Sequence, residues 1–229
     1  MTTTSPYDVQ PGDRVHRRDP VVVDRHSSFV RVNHWTTVIT MLLLWASGFA
    51  LFHPSLYFLA GLFGSGENAR EWHPWLGLVL FVAFYGLFFR FWRACLFAGE
   101  DSRWLAGLPK VMAGGDEERL PEVGRFNAGQ KMFFWIMAIM VIIMLVTGLA
   151  MWDQYFYDYT TIEQKRIMVL IHSVVAVLVV CGVIVHVSMV IWERGTLQAM
   201  TRGYVTGGWA WKHHRKWLRE LVTGGRVGP

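Results

Sequence analysis

Charge is absent from four long stretches of this chain, residues 36–52, 75–89, 132–152 and 167–192, and concentrated in the segments between and around them. Crossing the hydrocarbon core of a bilayer as a helix takes about 20 predominantly apolar residues. Three of the stretches meet that length or approach it, and the second reaches it by running on through Arg90 and Arg93 to Phe97, since arginines at a span end extend their charge to the interface. The pattern therefore predicts four transmembrane helices. The first is not a secretory leader, because a polar arm precedes it and no small-residue cleavage pattern follows Phe52. Residues 1–28 read as a disordered or surface-lying arm, residues 29–205 as the four-helix membrane domain and residues 206–229 as a basic tail.

The 22 lysines and arginines sort by side: 19 fall in the arm, the 90–131 segment and the tail, against Arg70, Lys165 and Arg166 in the other two connections. By the positive-inside rule, both termini and the middle loop are cytoplasmic. The excess of basic residues is thus a topology signal, and nothing else points to nucleic acid. The middle loop is expected to contain short surface helices. Residues 209–221 alternate aromatic and basic side chains at helical spacing, which predicts one helix lying on the anionic membrane face. The fold class expected is an all-α integral membrane four-helix bundle with cytoplasmic termini and a C-terminal interfacial helix. No internal repeat is evident.

Hydrophobic residues make up 53% of the chain, which agrees with a membrane protein. Tryptophans stand at the edges of the apolar runs (Trp35, Trp72, Trp75, Trp92, Trp152, Trp192), as in interfacial belts. Two cysteines, Cys95 and Cys181, build neither a disulfide framework nor a thiolate cluster, so any iron–sulfur centre must belong to a partner.

Nine histidines remain as candidate chemistry. His16 and His26 in the arm, and His213 and His214 in the tail, read as solvated or interfacial, and His53 before Pro54 reads as a turn residue. His34, His73, His172 and His186 stand at the ends of the spans or inside them, where an ionisable group is costly and marks function. His186 follows His172 by 14 residues, a rise of about 21 Å and a rotation about 40° short of four turns. Both face one way at different depths. His172 shares the depth of His73, and His186 that of His34. Two bis-histidine pairs stacked in a four-helix bundle suit two b-type haems, with both axial positions of each iron filled. Small residues nearby (Ser47, Gly48, Gly77, Ala176, Gly182) leave room for flat macrocycles or for ordinary close helix packing. The spans contain no Asp or Glu for a di-metal carboxylate site. A histidine proton relay in a transporter, or a cofactor-free anchor, is the competing reading of the same residues.

Several motifs resemble the membrane gamma subunit of respiratory formate dehydrogenases over residues 31–220: His34-Trp35, FHPSL after it, HPWLG at His73, EVGRFNAGQK before the third span, IHSVV at His172, IVHVSMVIW at His186 and KHHRKWLRE in the tail. The FNAGQK string and the HH-xx-W-x-R-E tail are the most family-specific. The histidine pattern alone also fits hydrogenase or thiosulfate reductase cytochromes. The resemblance implies that His73 and His172 ligate the haem nearer the outer face, and His34 and His186 the haem nearer the cytoplasm. It places Asn127, Gly129 and Gln130 in a quinone pocket beside the inner haem, taking menaquinone or ubiquinone. It implies as partners an iron–sulfur (beta) subunit, a molybdenum- or tungsten-containing catalytic (alpha) subunit that oxidises formate, and the lipid of a bacterial inner membrane. Two departures stand out: the chain reads Ser-Val-Val-Ala after His172 where the family often has an early Gly, and its N-terminal arm is long.

Overall fold

In a computed structural model, which describes residues 15–18, 21–115 and 120–224, each apolar stretch falls on a long helix: α1 (Ser28–Phe52), α2 (Gly66–Phe91), α4 (Ala128–Ala150, which ends two residues before the third stretch does) and α6 (Ile162–Trp192). All four are long and apolar enough to cross a membrane. They begin earlier than the apolar runs because backbone hydrogen bonding continues through the polar turns that flank a span. His34 and His73 consequently sit well inside α1 and α2. The 31 residues of α6 rise about 46 Å, well beyond the ~30 Å hydrocarbon core.

The chain forms two compact units. The first comprises residues 32–88 and 136–185, the larger part of the four long helices. Asn33 Nδ2 donates to the Ala83 carbonyl at 3.0 Å, tying α1 to α2, and the Tyr85 hydroxyl donates to the Ala138 carbonyl at 2.9 Å, tying α2 to α4. Between α1 and α2 runs a 3₁₀ segment, Pro54–Phe63, whose N-terminus is capped by the His53 ring accepting from the Ser55 amide. His53 is thus the turn residue expected. Ala50, Ala60 and Ala69 are buried here with Leu59 and Phe63 against them. After α4, the short α5 (Asp153–Phe156) gathers Trp75, Trp152 and Tyr155 edge to face, with ring centres 4.9–6.1 Å apart.

The second unit holds the described parts of residues 1–31, 89–135 and 186–229. It contains a three-stranded antiparallel sheet in the order β1 (Val15–Arg18), β2 (Val21–Asp24), β3 (Tyr204–Thr206), with Val23 opposite Val205. The arm was expected to be disordered or surface-lying; residues 15–18 and 21–24 form strands, and the remainder of that arm up to residue 20 lies outside the described residues. Pairing with β3 relies on Gly203 at φ +89°, whose carbonyl accepts from the Arg25 and His26 amides, and where a Cβ would approach the His26 carbonyl to 2.7 Å. The middle loop supplies α3 (Gly99–Met112), the surface-type helix expected. It is fixed to the start of α4 by a buried ion pair, Asp101 to Lys131 at 2.9 Å.

The tail differs from its expectation of one membrane-lying helix. After α7 (Thr196–Thr201) and β3, it forms α8 (Gly207–His213) and α9 (Arg215–Thr223), broken at His214. Trp209, Ala210, Trp217, Leu218 and Leu221 are buried with Val23, Ala199 and Val205, so this apolar face packs on protein. Residues 225–229 lie outside the described part. At the break stands His214, expected to be solvated or interfacial but only 1% exposed, with Nδ1–H donating to the Gly124 carbonyl at 2.8 Å and Nε2 accepting from Arg25 Nη2 at 3.4 Å. Two buried arginines flank it. Arg25 Nη2 donates to the Arg125 carbonyl and Arg125 Nη2 to that of Arg25, and both guanidinium groups lie over the Trp217 ring.

Burial, with the neighbouring Arg25 charge second, holds the His214 imidazole well below its ordinary 6.5. Unfolding therefore takes up a proton below about pH 6.5, and the contribution of neutral His214 is lost as pH falls from there toward its folded value. The thermal midpoint, followed by tryptophan fluorescence in detergent, is expected to drop between pH 7 and pH 5, with a shallower slope in His214→Gln; equal slopes would show that His214 does not bear the dependence.

Candidate functional site

Within the helical unit, α2 and α6 bring His73 and His172 together with ring centres 6.3 Å apart and ring planes at 62°. Two metal–imidazole bonds of roughly 2 Å, plus roughly 1 Å from each ligating nitrogen to its ring centre, add up to about 6 Å. The separation fits one metal atom held between the rings. Each ring also contacts a second helix. His73 Nδ1 lies 2.7 Å from Ser47 Oγ on α1, and His172 Nδ1 lies 2.8 Å from Thr147 Oγ1 on α4. A glycine follows each hydroxyl residue, and an added Cβ would stand 3.4 Å from His73 Cε1 at Gly48 and 3.5 Å from His172 Cε1 at Gly148. The helix backbone thus leaves a strip open alongside each imidazole, as a flat ring system edge-on to that strip requires.

The two halves of this arrangement match. Ser-Gly-Phe-Ala at 47–50 precedes His73 as Thr-Gly-Leu-Ala at 147–150 precedes His172, with 26 and 25 residues from hydroxyl to imidazole. A short internal repeat is therefore present, against the expectation of none. Ser47 and Gly48 are among the small residues expected near the sites, and Thr147 and Gly148 hold the same places in the second half. Gly77, another of those small residues, has nothing within 4 Å of an added Cβ.

His34 stands on α1 edge-on to Trp35, and His186 on α6 stacks flat on Phe133, 4.9 Å between centres and 11° between planes. Both are half-buried. At the N-terminus of α4, Asn127 and Gln130 form a reciprocal cap: Asn127 Oδ1 accepts from the Gln130 amide at 2.8 Å, and Gln130 Oε1 accepts from the Asn127 amide at 3.0 Å. Gly129 lies under the cap, with Asn127 Oδ1 and the Trp104 ring 3.4–3.6 Å from an added Cβ. The side-chain oxygens are engaged in the helix terminus, and the cap makes no use of the amide NH₂ groups, which remain as donors for a ligand.

Residues 25–203 match the prokaryotic cytochrome b561 family. The chain is 37% identical over 198 residues to the cytochrome b556 subunit of a Haemophilus influenzae formate dehydrogenase, covering 86% of this chain and 83% of that one. It is 36% identical over 205 residues to a formate dehydrogenase cytochrome b556 subunit of Escherichia coli, covering 90% and 95%. A second Escherichia coli subunit, that of a nitrate-inducible formate dehydrogenase, is 36% identical over 191 residues, covering 83% and 88%.

Asn127→Ala removes the cap to the Gln130 amide and is expected to cost about 1 kcal/mol of stability. Chemical unfolding in detergent measures it; an unchanged midpoint would show that the cap does not contribute.

Proposed function

The chain belongs to the prokaryotic cytochrome b561 family, alongside the cytochrome b556 subunits of formate dehydrogenases, and on that premise we propose that it is the di-haem cytochrome b subunit of a membrane-bound formate dehydrogenase. In this reading His73 and His172 would hold one haem, and His34 and His186 the other. The single observation that carries it is the His73–His172 pair at metal-spanning separation, each ring backed by a hydroxyl and a glycine. The His34–His186 pairing is supported by their matched depth in the sequence and by the family resemblance.

Haems held by these histidines would supply one-electron redox chemistry. The chain's own work is to hold imidazoles at two depths, so that electrons from an iron–sulfur partner outside reach the other side of the bilayer. Formate oxidation belongs to a separate molybdenum- or tungsten-containing partner. The basic termini and middle loop support a cytoplasmic side for His34 and His186 in a bacterial inner membrane. There the amide NH₂ groups of Asn127 and Gln130, at the start of α4, bind the carbonyls of a menaquinone or ubiquinone, with Gly129 allowing close approach. Reducing the quinone takes two electrons and two protons. Drawing the protons from the cytoplasm makes the step charge-separating.

A reduced-minus-oxidised spectrum with pyridine haemochrome quantitation is expected to give two b haems per chain, one of them lost in His73→Ala and the other in His186→Ala. A folded chain without haem would sink the reading and favour a histidine proton relay. Co-purification with a hydrogen-oxidising rather than a formate-oxidising subunit would reassign the complex and leave the haem sites in place.

Asn127→Asp separates capping from quinone binding, because aspartate caps as well as asparagine but lacks the NH₂ donor. Stability is expected within about 0.5 kcal/mol of the parent, with quinone reduction slowed about tenfold, the cost of one hydrogen bond of ~1.4 kcal/mol. Unchanged quinone kinetics would remove Asn127 from the pocket.

A further inference from the structure

We propose that Ser47 and Thr147 are positioning residues that fix the tautomer of His73 and His172 and lower the midpoint potential of the haem between them; the inference rests on the axial assignment of that pair. The geometry of the hydroxyls decides the tautomer. Ser47 Oγ lies 3.0 Å from the Leu43 carbonyl and 3.2 Å from that of Leu44, one turn back in its own helix. A carbonyl only accepts, so the single hydroxyl proton points there, and the Ser47 oxygen is left to accept from His73 Nδ1–H at 2.7 Å. Thr147 repeats the device. Its Oγ1 donates to the Ile143 carbonyl at 2.7 Å, with the Met144 carbonyl at 3.3 Å, and accepts from His172 Nδ1–H at 2.8 Å.

Both Nδ1 atoms therefore carry the proton, and both Nε2 atoms present a lone pair. Two neutral imidazoles cannot each accept from the other, so both lone pairs are left for a group held between the rings, whose centres stand 6.3 Å apart, a separation that one metal ion spans. That two hairpins with the same Ser/Thr-Gly-x-Ala string deliver one outcome makes coincidental packing a poor account of both. An acceptor at Nδ1–H also feeds electron density into the ring, strengthening the imidazole as a donor to iron and favouring the ferric state. A hydroxyl does this without placing a charge inside the membrane, where a carboxylate would be costly. Its own back-bond to the helix carbonyl polarises it as an acceptor.

The test is a potentiometric titration with low-temperature EPR on the full chain carrying Ser47→Ala, Thr147→Val or both, with Ser47→Thr and Thr147→Ser as hydroxyl-retaining controls. One haem of the two is expected to shift upward in midpoint potential in each single variant and further in the double. Its EPR g-spread should change as the ring orientation loosens, while the other haem stays put and the controls keep parental values. Loss of that haem from Ser47→Ala, with retention in Ser47→Thr, would lead to the same conclusion by way of ligand placement. Thr147→Val matches threonine in volume and guards against a packing defect. Full haem content with unmoved potentials in the double variant would overturn the inference and leave the di-haem reading intact. A parent chain lacking the His73–His172 haem would instead overturn the reading beneath it.

Discussion

An imidazole inside a membrane helix has no bulk water to satisfy its two nitrogens, so each must find a partner among neighbouring helices or bound groups. His73 and His172 meet that constraint in a way that orders the helical unit around them. Ser47 on α1 and Thr147 on α4 take one nitrogen of each ring, and the rings face each other at a distance suited to a metal. Four helices are thereby tied to one point. The glycine after each hydroxyl leaves the space beside each ring unfilled, since an added Cβ would stand 3.4–3.5 Å from the imidazole. The proposed electron path depends on this arrangement more than on any surface feature.

The other unit solves a different problem. Its basic residues were first a sign of topology, yet two of them, Arg25 and Arg125, are buried around Trp217. Reciprocal bonds to each other's carbonyls and the face of the indole offset the cost of removing them from water. His214, held neutral beside Arg25, ends α8 and turns the chain into α9, which brings Trp217 and Leu221 into the same core. The Asp101–Lys131 pair fastens the start of α4 to α3, next to the residues proposed to meet the quinone.

The spans and the candidate histidines were legible in the sequence because they follow from one-dimensional rules: apolar length, and the cost of an ionisable group within it. Helix ends were not, since hydrogen bonding passes through Ser28, Gly66 and Ile162 without regard to polarity. The tail misled for a related reason. An aromatic–basic alternation does not show where the chain breaks into two helices or which side chains reach the core with Val23 and Val205. Strand pairing of Val23 with Val205 spans nearly the whole chain, beyond any local signal. Thr147 and Gly148 were visible in the Ser-Gly-Phe-Ala and Thr-Gly-Leu-Ala strings, but four residues at a separation of one hundred carry weight only once each string is seen beside a histidine. The Asn127–Gln130 string shows the converse: a motif suggestive of a ligand is, in part, a helix cap.

The central claim is that four histidines hold two irons in pairs. Near-infrared magnetic circular dichroism of the oxidised full chain tests it most directly, because the ligand-to-iron charge-transfer band distinguishes bis-imidazole from other axial sets. The account predicts two low-spin ferric haems per chain, both bis-imidazole. A single haem, a high-spin five-coordinate centre or a band from histidine–methionine ligation would contradict it.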